Sequence, residues 1–291
     1  MRGAALVARL LPTAAATAVQ QAPRLDLSGP KLRMALESLV LRSEEVGGIE
    51  RFVGALQLKA AAFRQALGDG RARDADLGTV RRLCACMPTV RRRAGRYLAP
   101  ETFPSLRERI AALLDGCAHT ADADARIAAF CAAFPDDREH RFVRDLAAEV
   151  LHNVDPERYP LMTRWVWDAR LNTGALREIW HAEDVDHITI EVPDRYDTFV
   201  VLREELARYV ADNGVYRDVM QYVDLLLAQV YATYVAEQGG SYLRADFASH
   251  EDPMLHLTRL LGLDGVAADG RTRLKASDGK AYVVDDLRLP H

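Results

Sequence analysis

Apolar side chains recur at helical spacing along most of the chain. They do so from Leu32 to Leu67, in two stretches separated by the Val-Gly-Gly of residues 46–48. The strongest pattern lies in residues 216–240, where apolar positions follow the i, i+3, i+4 rule and require one wide buried helix face. We therefore predict a mainly α fold, a multi-helix globular bundle of about ten helices. Its two clearest stripes are Phe142, Val143, Leu146, Ala147 and Val150, and Val219, Val223, Leu226, Leu227, Val230 and Tyr234.

Two short segments carry a different pattern. Residues 187–192 alternate between apolar and polar, with Ile188 and Ile190 on one side, and are predicted to form a short β element. Near the C-terminus, the Ser-Asp-Gly of residues 277–279 separates two runs of mixed β propensity, which indicates a β-hairpin. We divide the chain into a leader at 1–24, a helical domain at 25–265 with a sub-boundary near 117–125, and a tail or hairpin at 266–291.

The leader contains arginines and no acidic residue before Asp26. Its first apolar run ends at Arg9 and is shorter than the roughly 7–15 residues of a secretory core, so we expect a mobile or weakly helical segment. Export and an organellar transit peptide are the alternatives. No stretch reaches the roughly 18 uninterrupted apolar residues of a membrane span. We predict a soluble, cytoplasmic protein.

The composition is that of a globular protein, with 49% hydrophobic and 27% charged residues. A formal net charge of -4 gives no overall attraction to nucleic acid or anionic lipid, so such binding requires a local basic patch. The cysteines lack the C-x-x-C spacing typical of zinc and redox sites, and we predict free, buried thiols and no cofactor. They are Cys84, Cys86, Cys117 and Cys131.

All three tryptophans, Trp165, Trp167 and Trp180, fall within sixteen residues. Large aromatic faces suit a base, a cofactor or a sugar. Core packing explains them more simply, because residues two apart on a helix point about 200° from each other and at most one of that pair lines a given pocket. Pro156 and Pro160 favour a sharp turn between helices. We predict a packed corner with its tryptophans inside and its histidines and acids facing solvent.

Residues 146–166, with their Leu-His, Asp-Pro and Tyr-Pro pairs, resemble a segment of helical proteins similar to the helix-hairpin-helix DNA glycosylase superfamily. The resemblance covers 21 of the 291 residues. It implies a helical fold more than an activity. The sequence contains neither a glycine-rich hairpin of the kind that grips DNA phosphate nor a catalytic Lys or Asp placed after one.

Two Glu-x-x-His pairs, Glu149 with His152 and Glu178 with His181, have the i, i+3 spacing that di-iron carboxylate bundles use on two helices. Taking 100° per residue, the first pair lies at the boundary of its apolar stripe and the second lies opposite its own stripe. A divalent or di-iron metal site is therefore an alternative rather than the expectation. Residues 181–187 collect further histidines and acids, but at no defined ligand spacing.

Arginines concentrate between residues 81 and 96. With Tyr97 and Phe103 nearby, the patch suits nucleic-acid phosphates, nucleotides or an acidic protein surface. A solvated face is the simpler interpretation, because Glu101 and Glu108 are close enough in sequence to pair with it. The patch consists of Arg81, Arg82, Arg91, Arg92, Arg93 and Arg96.

Signatures of common reaction chemistry are absent from the sequence, including a nucleophile elbow, a P-loop and a dinucleotide fingerprint. We therefore lean away from an enzyme. The prediction is a non-catalytic accessory or adaptor protein that binds another macromolecule, most simply a protein partner, through helical surfaces. Nucleic-acid binding through the arginine patch and a metalloprotein built on the Glu-x-x-His pairs are the alternatives.

Overall fold

The computed structural model describes residues 23–184, 187–238, 253–265, 271–275 and 281–283. These residues form eleven α-helices and a two-stranded sheet, so the predicted mainly α fold is confirmed. No helix in these ranges is long and apolar enough to cross a membrane. The elements are α1 (Gly29–Glu44), α2 (Ile49–Leu67), α3 (Leu77–Ala85), α4 (Pro88–Arg91), α5 (Phe103–Leu114), α6 (Ala123–Ala132), α7 (Phe142–Val154), α8 (Ala175–Glu178), α9 (Tyr196–Asp212), α10 (Val219–Gln238), α11 (Pro253–Leu260), β1 (Arg271–Lys275) and β2 (Ala281–Val283).

Two helices, α7 and α10, form the centre of the fold. The first packs against α2, α4, α5 and α6, and the second against α1, α2, α8, α9 and α11. Every residue of α7 except Arg144 is buried. Polar side chains on α7 therefore point into the protein and need partners there.

Local sequence explains where several elements begin and end. The break between α1 and α2 falls at Gly47 and Gly48, whose φ angles of 103° and 88° favour glycine. Helix α3 begins after Asp76, whose carboxylate accepts the amide of Thr79 at 2.8 Å as an N-cap. The predicted C-terminal hairpin corresponds to the antiparallel pair β1 and β2. Its Ser-Asp-Gly turn lies outside the described residues, as do residues 1–22 of the leader.

The chain between α7 and α8 is a packed corner without regular helix. Trp167 is fully buried, and its indole N–H donates to the carbonyl of Val192 at 2.9 Å. The wholly buried carboxylate of Asp145 accepts from the backbone amide of Arg164 at 3.0 Å and from its guanidinium at 2.7 Å. Charge-assisted bonds thus fix the corner to α7.

The predicted β element at 187–192 is wrong, since this segment contains no strand. Its backbone groups are satisfied by side chains of the corner instead of a neighbouring strand. The amide of Ile190 donates to Asn172 Oδ1 at 3.0 Å, and the carbonyl of Val192 accepts from Trp167 at 2.9 Å. Alternation alone does not make a strand where no partner strand is available.

Candidate functional site

A concave pocket of about 590 Å³ lies beside α4 and is lined by half of the predicted arginine patch. Arg91, Arg92 and Arg93 form one part of the lining, and Arg259 of α11 and Arg273 of β1 form another. The described lining residues include these five arginines and no acidic side chain. The volume falls within the roughly 300–1,000 Å³ of small-molecule sites.

The other three arginines of the patch do not line this pocket and contact protein groups elsewhere. Their contacts join Arg81 to the carbonyl of Leu98 at 2.6 Å, Arg82 to Thr79 Oγ1 at 2.7 Å, and Arg96 to Glu139 at 2.6 Å.

Another part of the lining is apolar and forms what we call the apolar wall. Trp165 and Tyr231 lie side by side in it, with ring centroids 6.0 Å apart, and Val235 and Leu260 also belong to it. The lining therefore combines cations with aromatic and aliphatic groups. Such a site fits a ligand that is itself anionic at one end and planar or apolar at the other.

Asp264 holds three of the pocket arginines in place. Its carboxylate lies 2.8 Å from Arg91, 3.1 Å from Arg273 and 3.9 Å from Arg259. Burial, together with the repulsion of Arg91, Arg259 and Arg92, lowers the pKa of Arg273 in spite of the nearby Asp264. One carboxylate thus contacts three of the five guanidinium groups in the pocket lining.

Two close backbone approaches bring the distant halves of the pocket together. A Cβ atom on Gly262 would lie 1.9 Å from the carbonyl oxygen of Cys86, and one on Gly265 would lie 2.5 Å from that of Ala85. Gly262 also has a φ of 70°, in the left-handed region. Only glycine lets this segment pack so closely on the end of α3, which places Asp264 beside Arg91.

Two buried polar atoms of uncharged side chains in the pocket lining lack hydrogen-bond partners among the described residues. They are the indole nitrogen of Trp165, a residue 5% exposed, and the hydroxyl oxygen of Thr89. A buried donor without a partner costs about 1–3 kcal/mol. Both atoms have almost no accessible surface, so they lie behind the lining and not at the pocket surface.

Glu149 and His152 are interior residues, and the expectation that they lie at the boundary or face solvent is wrong. They are 1% and 8% exposed. The cause is the position of α7, which is packed on several sides rather than on one stripe. Glu149 accepts from the buried ammonium of Lys59 at 3.0 Å and from the side-chain amide of Asn153 at 3.1 Å. Lys59 also donates to the carbonyl of Leu261 at 2.9 Å, which ties the segment after α11 to the core.

His152 forms a second buried charge pair. Its Nδ1 lies 2.9 Å from the carbonyl oxygen of Tyr159, and its Nε2 lies 3.2 Å from a carboxylate oxygen of Asp224. Both neighbours accept, so both ring nitrogens donate and the imidazole is the charged form. Burial opposes that charge, but Asp224, Tyr159 and Glu149 together outweigh it and raise the pKa of His152.

The stability supplied by His152 is expected to fall as the pH rises. A group whose pKa is raised by folding contributes its full stabilisation at pH values below its pKa in the unfolded chain, about 6.5 for histidine. It loses that contribution as the pH rises through its pKa in the folded protein. We expect Asp224→Asn to lower stability most below about pH 6.5, and progressively less as the pH rises through the raised pKa of His152. Urea unfolding of both proteins over this range measures the difference. Parallel stability curves would show that the pair does not titrate in this way.

The four residues of the metal alternative do not converge. Glu149 and His152 are engaged by Lys59 and Asp224, while His181 is exposed and Glu178 lies on α8. In the described ranges, no group of three or more His, Cys, Asp or Glu side chains is arranged to hold a metal ion.

One of the three tryptophans, Trp165, lines the pocket, but the helix that the spacing argument assumed for Trp165 and Trp167 is not present in this corner. Trp167 belongs to the corner, and Trp180 pairs through its backbone with Leu27 near the start of α1. Cys84 and Cys86 are free and buried as predicted, whereas Cys117 and Cys131 are only partly buried.

Sequence reasoning missed the second half of the pocket lining, His256, Arg259 and Arg273, and the carboxylate of Asp264 behind it. These residues lie more than 160 positions after Arg93, and no local motif connects the two segments. No family model, curated protein or solved structure matches the chain. The resemblance of residues 146–166 to the helix-hairpin-helix superfamily therefore stays a prediction.

Proposed function

We propose that this protein binds a small phosphate-bearing ligand in the pocket beside α4 that five arginines line, which we call the arginine pocket. The observation that carries the proposal is the convergence of five arginines, from the α4 region, α11 and β1, on one concave volume. Guanidinium groups bind phosphate oxygens through paired, charge-assisted hydrogen bonds. The chain as a whole is acidic, with a net charge of -4, so this concentration of cations is a local feature.

A compact ligand fits the pocket better than a long polyanion does. Duplex nucleic acid is bound by a basic surface that follows the phosphate backbone over many contacts. Here Arg81, Arg82 and Arg96 do not extend the pocket arginines into such a surface, because they contact protein groups elsewhere. The adaptor role and a protein partner stay predictions from the sequence. No surface of the described residues favours them as specifically as the pocket favours a phosphate-bearing ligand.

Arg93→Gln is expected to weaken the binding of pyrophosphate about tenfold, in line with the loss of one charge-assisted hydrogen bond. Arg93 is exposed and makes no side-chain hydrogen bond or ion pair within the described structure, so its replacement should leave folding unchanged. Isothermal titration calorimetry at moderate salt gives the dissociation constants. Higher salt should weaken the binding, because it screens exposed charges.

Arg170→Gln is the matched control. Arg170 is also an exposed arginine without a described partner, but it lies in a different groove. This variant should bind pyrophosphate as the parent protein does. Equal losses in both variants would indicate nonspecific attraction to surface charge, and unchanged binding in Arg93→Gln would refute the proposal.

A further inference from the structure

We infer that the ligand of the arginine pocket is a free nucleotide, with its base against the Trp165 and Tyr231 wall and its phosphates at the arginines. The inference rests on the proposed function and specifies the chemical class of the ligand. It follows from two properties of the pocket, namely its volume and its apolar wall.

The volume shows that phosphate alone does not fill the site. An inorganic phosphate occupies about three water volumes, on the order of 90 Å³ when each water takes about 30 Å³. The pocket holds about 590 Å³. Most of the space is therefore left for a second part of the ligand, next to the apolar wall.

The apolar wall favours a flat group in that space. The rings of Trp165 and Tyr231 are inclined by 36° to each other. Tyr231 also packs on Tyr234, with ring centroids 5.7 Å apart. Aromatic side chains and arginine guanidinium groups both stack on nucleobases. Tyr231 is partly exposed, so a ring placed here contacts it, and the guanidinium groups line the same pocket.

The test compares four probes on the full-length protein, namely ADP, pyrophosphate, ribose 5-phosphate and geranyl diphosphate. We expect ADP to bind at least about tenfold more tightly than each of the others, which corresponds to about 1.4 kcal/mol. Equal or tighter binding of pyrophosphate or geranyl diphosphate would overturn the nucleotide assignment but leave the phosphate site intact. If no probe binds, the proposed function itself fails.

A 5′-phosphorylated oligonucleotide separates the two sources of a nucleotide group. Because the pocket is compact, we expect it to bind more weakly than ADP. Tighter binding of the oligonucleotide would overturn the assignment to a free nucleotide and indicate the end of a nucleic acid.

Tyr231→Leu tests the aromatic contact of the apolar wall. ADP affinity should fall about fivefold or more, and pyrophosphate affinity should change less than about twofold, since the base loses a stacking partner while the arginines stay in place. Tyr209→Leu, at a partly buried tyrosine that is not a lining residue, is the control and should leave both affinities unchanged. Equal losses for ADP and pyrophosphate in Tyr231→Leu would contradict the inference.

Discussion

Replacing Lys59 by methionine is expected to lower the free energy of unfolding by about 3–5 kcal/mol, because it leaves a buried carboxylate without its counter-charge. The ammonium of Lys59 is bonded to Glu149 at 3.0 Å, and the two side chains are 4% and 1% exposed. Its second bond, to the carbonyl of Leu261 at 2.9 Å, is also lost. Denaturant unfolding measures the effect.

The double variant Lys59→Met with Glu149→Leu isolates the cost of the unpaired charge. Replacing both members of a buried ion pair by apolar groups is often close to neutral. We therefore expect the double variant to recover most of the stability that Lys59→Met loses. If the double variant is as unstable as the sum of the two single variants, the pair is not coupled as its geometry indicates.

Gly262→Ala is expected to lower the unfolding free energy by about 2–5 kcal/mol, from overpacking and from the left-handed backbone. The added Cβ would lie 1.9 Å from the carbonyl oxygen of Cys86, so the segment that carries Asp264 has to move away from α3. Phosphate binding should weaken with it, because Arg91 and Arg273 lose the carboxylate that orders them. Thermal unfolding and a pyrophosphate titration measure the two effects.

Gly54→Ala is the control for this substitution. Gly54 lies within α2, and a Cβ atom there would meet nothing within 4 Å. Alanine is favoured over glycine inside a helix by roughly 0.5–1 kcal/mol, so this variant should be at least as stable as the parent. A Gly262→Ala variant with unchanged stability and unchanged pyrophosphate binding would show that the pocket does not depend on this close backbone approach.

The helices were predictable because burial on one side imposes a 3.6-residue period on the sequence. The same rule failed for Glu149 and His152, since it assigns polar side chains off the apolar stripe to solvent. In a helix packed on several sides, those positions lie inside. A usable signal was present in α2, where Lys59 occurs at helical spacing from Phe52, Leu56 and Phe63 and therefore lies on its buried face. A lysine in that position requires a buried acid.

The pocket was only half predictable from the sequence. The run Arg91-Arg92-Arg93 is visible as a local concentration of charge, and Trp165 as part of a tryptophan cluster. Their meeting with Arg259 and Arg273 depends on how the chain after α10 packs on the end of α3. That packing relies on Gly262 and Gly265. The sequence does not show which backbone segment a glycine will contact.

A crystal structure of the full chain grown with saturating ADP tests the central claim most directly. We expect density for the phosphates within hydrogen-bond distance of the pocket arginines, and density for the base against the wall formed by Trp165 and Tyr231. An empty pocket at saturating ADP, or a nucleotide bound only elsewhere on the protein, would contradict it.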